Sequence, residues 1–263
     1  MGAHLLLQLT DLHLSAVGAL RNGARPGENF EAALAHLGRE DVRPDLIVLT
    51  GDLTDDGDSA GYAELRIRLA PLAEATGAAV VYLPGNHDVR ASFRRHLLQQ
   101  DARDPDAPIN QVVRSGGLRL IALDSSVPGA EHGELADATL AFLAHELAEP
   151  APDGTVLALH HPPVGSPIAS MNEIALRSPE RLGEVVGGTD VRLIIAGHNH
   201  HEAAGALAGI PVWVSPALAY LADVGSTAEF RPFPGAALTR IDLPTNGQPL
   251  VTVIHVPLAS SRF

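Results

Sequence analysis

The sequence contains no cysteine and no lysine. The first absence excludes disulfides, thiolate metal sites and cysteine nucleophiles, so any bound metal must be held by imidazole, carboxylate or amide oxygen. The second makes every basic side chain an arginine, a pattern that reflects coding bias more readily than function. Lys plus Arg total 18 against 31 acidic residues, a formal net charge of −13. An acidic balance lacks the basic footprint that nucleic-acid polymers require. It leaves room for a small anionic substrate where metal ions dominate the local field. Long apolar runs are missing too. Leu5-Leu6-Leu7 near the N-terminus has no basic segment before it and is far too short for a signal sequence or a membrane span. No later segment is long enough to span, so a cytoplasmic protein without a membrane partner is expected.

What is present is a globular composition, 46% hydrophobic over 263 residues, enough to bury a substantial core. Short apolar runs recur at Leu5–Leu9, Leu46–Leu49, Ala79–Leu83, Leu120–Leu123, Val156–Leu159 and Leu193–Ala196. Continuous rather than alternating hydrophobicity predicts strands covered on both faces. Helices are predicted over Glu28–Glu40, Ala60–Ala75 and Glu134–Glu149, the last with Leu140, Leu143 and Leu147 on one stripe. Ser178-Pro179 reads as an N-cap followed by proline at the first helical position. After Gly197 the runs Val212–Val214, Leu238–Leu243 and Leu250–Val256 read as mostly antiparallel strands closing a second sheet. These apolar strands carry few charges, so an edge or face there could support a homodimer. No linker divides the chain. The expected architecture is one α/β domain over 1–263, a four-layer α-β-β-α sandwich of two packed mixed sheets with helices outside. Residues 1–200 carry the motifs described next, and 201–263 complete the second sheet and shape a substrate pocket.

Nearly every predicted strand ends in a potential metal ligand. The first runs into Asp11-Leu12-His13 and the second into Gly51-Asp52. The third reaches Gly85-Asn86-His87-Asp88, a later one His160-His161-Pro162-Pro163, and another Gly197-His198-Asn199-His200. Carboxyl ends of strands in α/β sheets are where ligands bind. Two aspartates, one asparagine and four histidines are thus brought to one edge.

In this order the five blocks closely resemble the signature of the calcineurin-like metallophosphoesterase superfamily. Leu123-Asp124-Ser125-Ser126, Gly133 and the His160–Pro163 block extend the likeness toward class III cyclic nucleotide phosphodiesterases and related glycerophosphodiesterases. From about Glu202 onward the resemblance is weak. It implies a dinuclear phosphodiesterase acting on small phosphodiesters, cyclic nucleotides first, by in-line attack of a metal-bridging hydroxide. A glycerophosphodiesterase or broad phosphomonoesterase is the alternative. A non-catalytic scaffold of the same fold ranks below both, because such relatives lose ligands that are intact here. The family pattern assigns Asp11, His13 and His200 to one metal, Asn86, His160 and His198 to the other, and Asp52 to both. A nitrogen and oxygen set without thiolate suits Fe, Mn, Zn or Co better than Mg or Ca alone. His87, next to a ligand but outside both shells, is expected to face substrate and protonate the leaving alkoxide, with Asp88 orienting its imidazole. Asn86 also adjoins the substrate, and His161 is expected behind the ligands or facing it.

Other polar and aromatic residues receive plainer readings. His4, His36, His96, His132, His145 and His255 are read as solvated or hydrogen-bonded, and His201 as structural. Asp124 is read as a turn or helix cap, Tyr220 as core in preference to a residue lining the substrate pocket, and Asp55-Asp56-Gly57-Asp58 as a solvated turn opening a helix.

Overall fold

The computed structural model describes residues 3–40, 42–101 and 104–258. The first half alternates strand and helix: β1 (Ala3–Leu9), α1 (Pro26–Leu37), β2 (Leu46–Thr50), α2 (Ser59–Thr76) and β3 (Ala79–Leu83). A short α3 (Arg90–Phe93) runs into a π-helical turn, Arg94–Leu98, before β4 (Gln111–Ser115), β5 (Leu118–Ala122), α4 (Asp137–Glu146) and β6 (Thr155–Ala158). Then come α5 (Ala169–Glu173), α6 (Pro179–Val186), β7 (Val191–Ala196), β8 (Ala203–Leu207) and β9 (Ile210–Val214). The chain ends with a small hairpin, β10 (Leu221–Ala222) and β11 (Pro232–Phe233), and two long strands, β12 (Ala237–Pro244) and β13 (Leu250–His255).

Two mixed sheets result, in the strand orders β13-β12-β1-β2-β3 and β4-β5-β6-β7-β9-β8. β1, β2 and β3 are parallel, as are β5, β6, β7 and β9, while antiparallel strands close the remaining edges. The continuous apolar runs are explained by what they touch. Leu6, Val48 and Leu83 of the first sheet meet Leu120, Val156 and Ile195 of the second in a dry layer between them. Their neighbours Leu7, Ile47 and Leu49 point the other way, onto Phe30, Leu65 and Leu69 of α1 and α2. Ile121, Leu157 and Ile194 pack on Leu140, Leu143 and Leu182 of α4 and α6. Each such side chain contributes roughly 1.5–3 kcal/mol through burial, and a strand buried on both sides collects it at every position. The four-layer sandwich expected from the sequence is the architecture observed.

Two expectations change. The late strands do not close one sheet: β12 and β13 extend the first sheet beside β1, and β9 enters the second sheet parallel to β7. Ser178 precedes α6 with Pro179 at the first position, yet it sits at φ 49° and its side chain caps nothing. Asp58 does behave as a helix start, its carboxylate accepting from the Ala60 amide at 3.1 Å. Among the described residues no helix is long and apolar enough to cross a membrane.

Candidate metal centre and its cavity

The carboxyl ends of five parallel strands, β1, β2 and β3 from one sheet and β6 and β7 from the other, meet along one edge. The sheets approach closely there: Gln8 on β1 donates to the Ala196 carbonyl on β7 at 2.8 Å and to Thr50 Oγ1 on β2 at 3.0 Å. The chain must turn sharply as it leaves each strand. Asp11, His13, Asp52, His198 and His200 all have φ between 44° and 72°, a left-handed conformation that costs a non-glycine residue on the order of 1–3 kcal/mol. Such strain persists only where the surroundings over-determine it. Here hydrogen bonds donated by the Asp11 amide to Gly51 O (3.0 Å) and by the His13 amide to Asp52 O (2.9 Å) fix the turns. Glycine is required at two of them. A Cβ on Gly51, at φ +97°, would lie 2.3 Å from His160 Nδ1, and one on Gly85 would lie 2.2 Å from Asp52 Oδ1.

The strained turns aim polar side chains at a common space. Ligand atoms of Asp11, His13 and His200 lie within 4.8 Å of one another, as do those of Asp11, Asp52 and His160. His160 Nε2 stands 3.2 Å from Asn86 Oδ1 and 3.4 Å from Asp52 Oδ2, and Asp52 Oδ2 is 3.7 Å from His13 Nε2. Four imidazoles are each held by their outward nitrogen. His13 Nδ1 meets Asp55 Oδ1 at 3.1 Å, His160 Nδ1 the Thr50 carbonyl at 2.8 Å, His200 Nδ1 the Tyr220 carbonyl at 2.9 Å, and His198 Nε2 the Ile174 carbonyl at 3.1 Å. Each of these oxygens accepts, so those nitrogens carry hydrogen, and once a ring is neutral its opposite nitrogen offers a lone pair. That is how proteins orient histidines toward metals, and the donor set of imidazole, carboxylate and amide oxygen fits a cation pair.

Electrostatics agree. Burial, with His160 beside it, pushes His198 down to about 3, and burial with His13 pushes His200 down to about 3. Both rings are therefore neutral near pH 7, the form a metal needs. Burial would lower His160 too, but the Asp52 charge outweighs it and raises His160 to about 9. Burial works against the Asp52 carboxylate, yet His160 and its neighbours hold it well below the usual range. The pair is an ion pair in which a cation can replace the proton.

Around this centre the expected roles sort differently. His87 lines the cavity, half exposed, its amide donating to Asp52 Oδ1 at 2.9 Å and its Nδ1 to the Asp55 carbonyl at 2.7 Å. Asp88 does not orient it. Its buried carboxylate turns back to accept from Gly85 N (2.9 Å), Leu53 N (3.1 Å) and Tyr62 OH (2.8 Å), and so ties the third loop to the second. Burial, with the Asp52 charge, raises Asp88 to about 6. His161 does not face substrate either. It is fully buried behind His160, with Nδ1 on Ser125 Oγ at 2.9 Å and Nε2 on the Glu131 carbonyl at 3.1 Å. Asp55, read as part of a solvated turn, holds His13 with its side chain and His87 with its carbonyl. The only sequence trace of that role is its position three residues after Asp52. Asp124 is buried and accepts from Ser126, as a turn cap does, and also pairs with Arg90 at 2.8 Å.

A cavity of about 330 Å³ opens over the centre, with His13, Asp52, Asn86, His198 and His200 on one side. Glu131, Ser170, Met171, Glu173, Ile174, Tyr220 and Phe230 complete it. The segment 201–263, expected to shape a pocket, contributes Tyr220 and Phe230 to this wall, and α5 contributes Ser170, Met171 and Glu173. Tyr220 takes the less expected of its two readings, lining the cavity and lying over His200 at 4.4 Å between ring centroids.

Comparison with known proteins bears on the chemistry. Residues 4–202 match the family model described as calcineurin-like phosphoesterase. A probable cyclic nucleotide phosphodiesterase of Rhodococcus erythropolis is 44% identical over 221 residues, 84% of this chain and 73% of that one. A cAMP/cGMP dual specificity phosphodiesterase of Mycobacterium tuberculosis is 45% identical over 226 residues, 84% and 69% of the two chains. Among solved structures, a dimetal phosphatase from Danio rerio superimposes with a TM-score of 0.63 at 14% identity, over 97% of this chain and 99% of that one. That likeness concerns the fold.

Proposed function

The chain belongs to the calcineurin-like phosphoesterase family and is a metal-dependent phosphodiester hydrolase, and we propose that its substrates are cyclic nucleotides, hydrolysed at a pair of transition-metal ions. Asp11, His13 and His200 would hold one ion, Asn86, His160 and His198 the other, with Asp52 shared. The observation that carries this reading is the set of four histidines pinned by their outward nitrogens, with His13, His160 and His200 converging on the carboxylates of Asp11 and Asp52 and His198 joining them through His160. Imidazole-rich sets of this kind favour Fe, Mn, Zn or Co over Mg or Ca. When bound, such a pair polarises phosphoryl oxygens and makes a coordinated water acidic.

The chain's own residues supply the rest. Amides of His87 and His198 fix the carboxylates of Asp52 (2.9 Å) and Asp11 (3.0 Å), so the anionic groups keep one geometry. As the imidazolium, His87 would keep Nδ1–H on the Asp55 carbonyl and give its Nε2 proton to the departing ribose oxygen, ending as the neutral ring. Asn86, half-buried at the cavity floor, adjoins the phosphoryl group. Among the described residues no arginine lines the cavity, so a singly charged diester is better accommodated than a group bearing further phosphates.

The substrate reading draws on the relatives named for cyclic nucleotides. Its test is a panel of 3′,5′-cyclic AMP, 2′,3′-cyclic AMP and a glycerophosphodiester, each with Mn- or Zn-loaded protein. The 3′,5′-cyclic nucleotide should have the highest kcat/KM. Faster turnover of the glycerophosphodiester would reassign the substrate while leaving the diesterase in place.

A further inference from the structure

The cavity has two unlike sides, and only one of them belongs to the sandwich. The side opposite the metal centre comes from α5 and the β10–β11 hairpin, which are stitched together. Ala169 N donates to Thr227 O at 2.8 Å, Ser170 N to Ala228 O at 3.2 Å, and Phe230 N to Ser170 Oγ at 3.1 Å. Ile168, Met171 and Ala222, with Ile174 and Phe230 against them, form a small apolar cluster separate from the three that build the sandwich. Three members of that cluster, Met171, Ile174 and Phe230, also line the cavity. This unit therefore packs on its own small core and forms one wall of the cavity.

The wall's chemistry selects its ligand. Phe230 stands edge-on to the metal-facing ring of His200, centroids 5.6 Å apart at 89°, and edge-on to Tyr220 at 6.2 Å and 77°. A group joined to phosphorus through one sugar can reach an aromatic so close to the metal side. Apolar Met171 and Ile174 suit a flat, uncharged ring. Exposed Glu131 and Glu173 are acceptors only, matching exocyclic amines and repelling any further anionic group.

We propose that the α5–hairpin unit is a nucleobase subsite in which Phe230, stacking on the base, is the specificity-determining residue. This rests on the cyclic-nucleotide reading above and names its base contact. Stacking of a base on an aromatic side chain contributes about 10-fold or more in affinity.

The test is direct binding, which needs no turnover. Calorimetry on the metal-loaded protein compares AMP, ribose 5-phosphate and phosphocholine, for wild type, Phe230→Leu and Phe230→Trp. Wild type should bind AMP about 10-fold or more tighter than ribose 5-phosphate. Phe230→Leu keeps the apolar packing and should abolish most of that preference, whereas Phe230→Trp should retain it. Metal content and ribose 5-phosphate affinity should stay the same in both. Equal affinity for AMP and ribose 5-phosphate in wild type overturns the proposal, as does a preference that survives Phe230→Leu. Parallel weakening of both ligands would make Phe230 merely structural and reject it. Phe230-dependent preference for phosphocholine would reject the base in favour of a cationic headgroup. The outcomes separate the two claims. An AMP preference without cyclic AMP hydrolysis keeps the subsite and loses the substrate assignment, and cyclic AMP hydrolysis without base preference does the reverse.

Discussion

The Nε2 atoms of His13 and His200 face one another at 3.2 Å, while the Nδ1 atoms of the same rings are already engaged by Asp55 and the Tyr220 carbonyl. Two imidazoles in that posture repel unless a proton or a cation lies between them. In the metal-free chain the neighbouring His160, raised to about 9 by Asp52 against the opposing effect of burial, also carries a proton. Cation binding must displace such protons. Apparent affinity for Zn or Mn should therefore climb from pH 6.5 toward about 9, with proton release on binding near neutrality. The sign for stability is opposite. A histidine whose folded pKa is raised stabilises the metal-free fold below its unfolded value of 6.5 and loses that contribution as pH rises through about 9. Calorimetric titration in two buffers of different ionisation heat measures the released protons. A flat affinity across this window would refute the expectation.

Asp52 lies between the two groups of donors. Asp52→Ala should abolish activity and weaken both metal sites, whereas Asp11→Ala should weaken chiefly one. Elemental analysis after dialysis distinguishes them. Retention of two tightly bound ions by Asp52→Ala would assign the shared carboxylate elsewhere.

His87 should separate catalysis from metal binding. With its Nδ1 on the Asp55 carbonyl and its ring outside the donor set, His87→Ala should keep both ions yet lower kcat by about 10²–10⁴-fold, as loss of a general acid does. The loss should be larger for a substrate expelling ribose alkoxide than for one expelling nitrophenolate, which leaves without a proton. Equal losses would indicate electrostatic positioning instead.

Asp88 should behave as a staple. Asp88→Ala strands the Gly85 and Leu53 amides and the Tyr62 hydroxyl, at about 1–3 kcal/mol for each buried donor left unpaired. Melting should fall by roughly 10 °C, with the leaving-group dependence of wild type intact. Tyr62→Phe, removing one of these bonds, should cost about 1 kcal/mol. A leaving-group effect like that of His87→Ala would restore Asp88 to the catalytic step.

The contrast between those two residues marks how far the sequence could be read. Strands buried on both faces announce themselves as continuous apolar runs, as in Leu46–Leu49, which β2 exceeds by one residue. β4, with its half-buried Gln111–Ser115, and β8, with its small side chains, carry no such signal. The order of strands within a sheet is a non-local choice, so the placement of β12 beside β1 could not be read from either segment. Residues that donate to the centre lie within strand-end motifs and stand out. Asp55, Tyr220 and Phe230 acquire their roles only when distant loops meet. Asp88 misleads because adjacency along the chain does not say which way a side chain turns.

The position of β1 has a consequence for biogenesis. Its flank from Ala3 to Gln8 pairs with residues 239–244 of β12, so its nearest pairing partner on that side, Thr239 for Gln8, lies 231 positions further along the chain. At about 5–20 residues per second, a ribosome needs roughly 10–50 s to make that stretch. Throughout this interval β1 presents an open edge and the apolar faces of Leu6 and Leu7, although every donor up to His200 is synthesised before β12. The nascent chain thus passes through a stage with a complete set of donors on an unfinished sheet, whose open edge is a template for wrong pairing until β12 arrives.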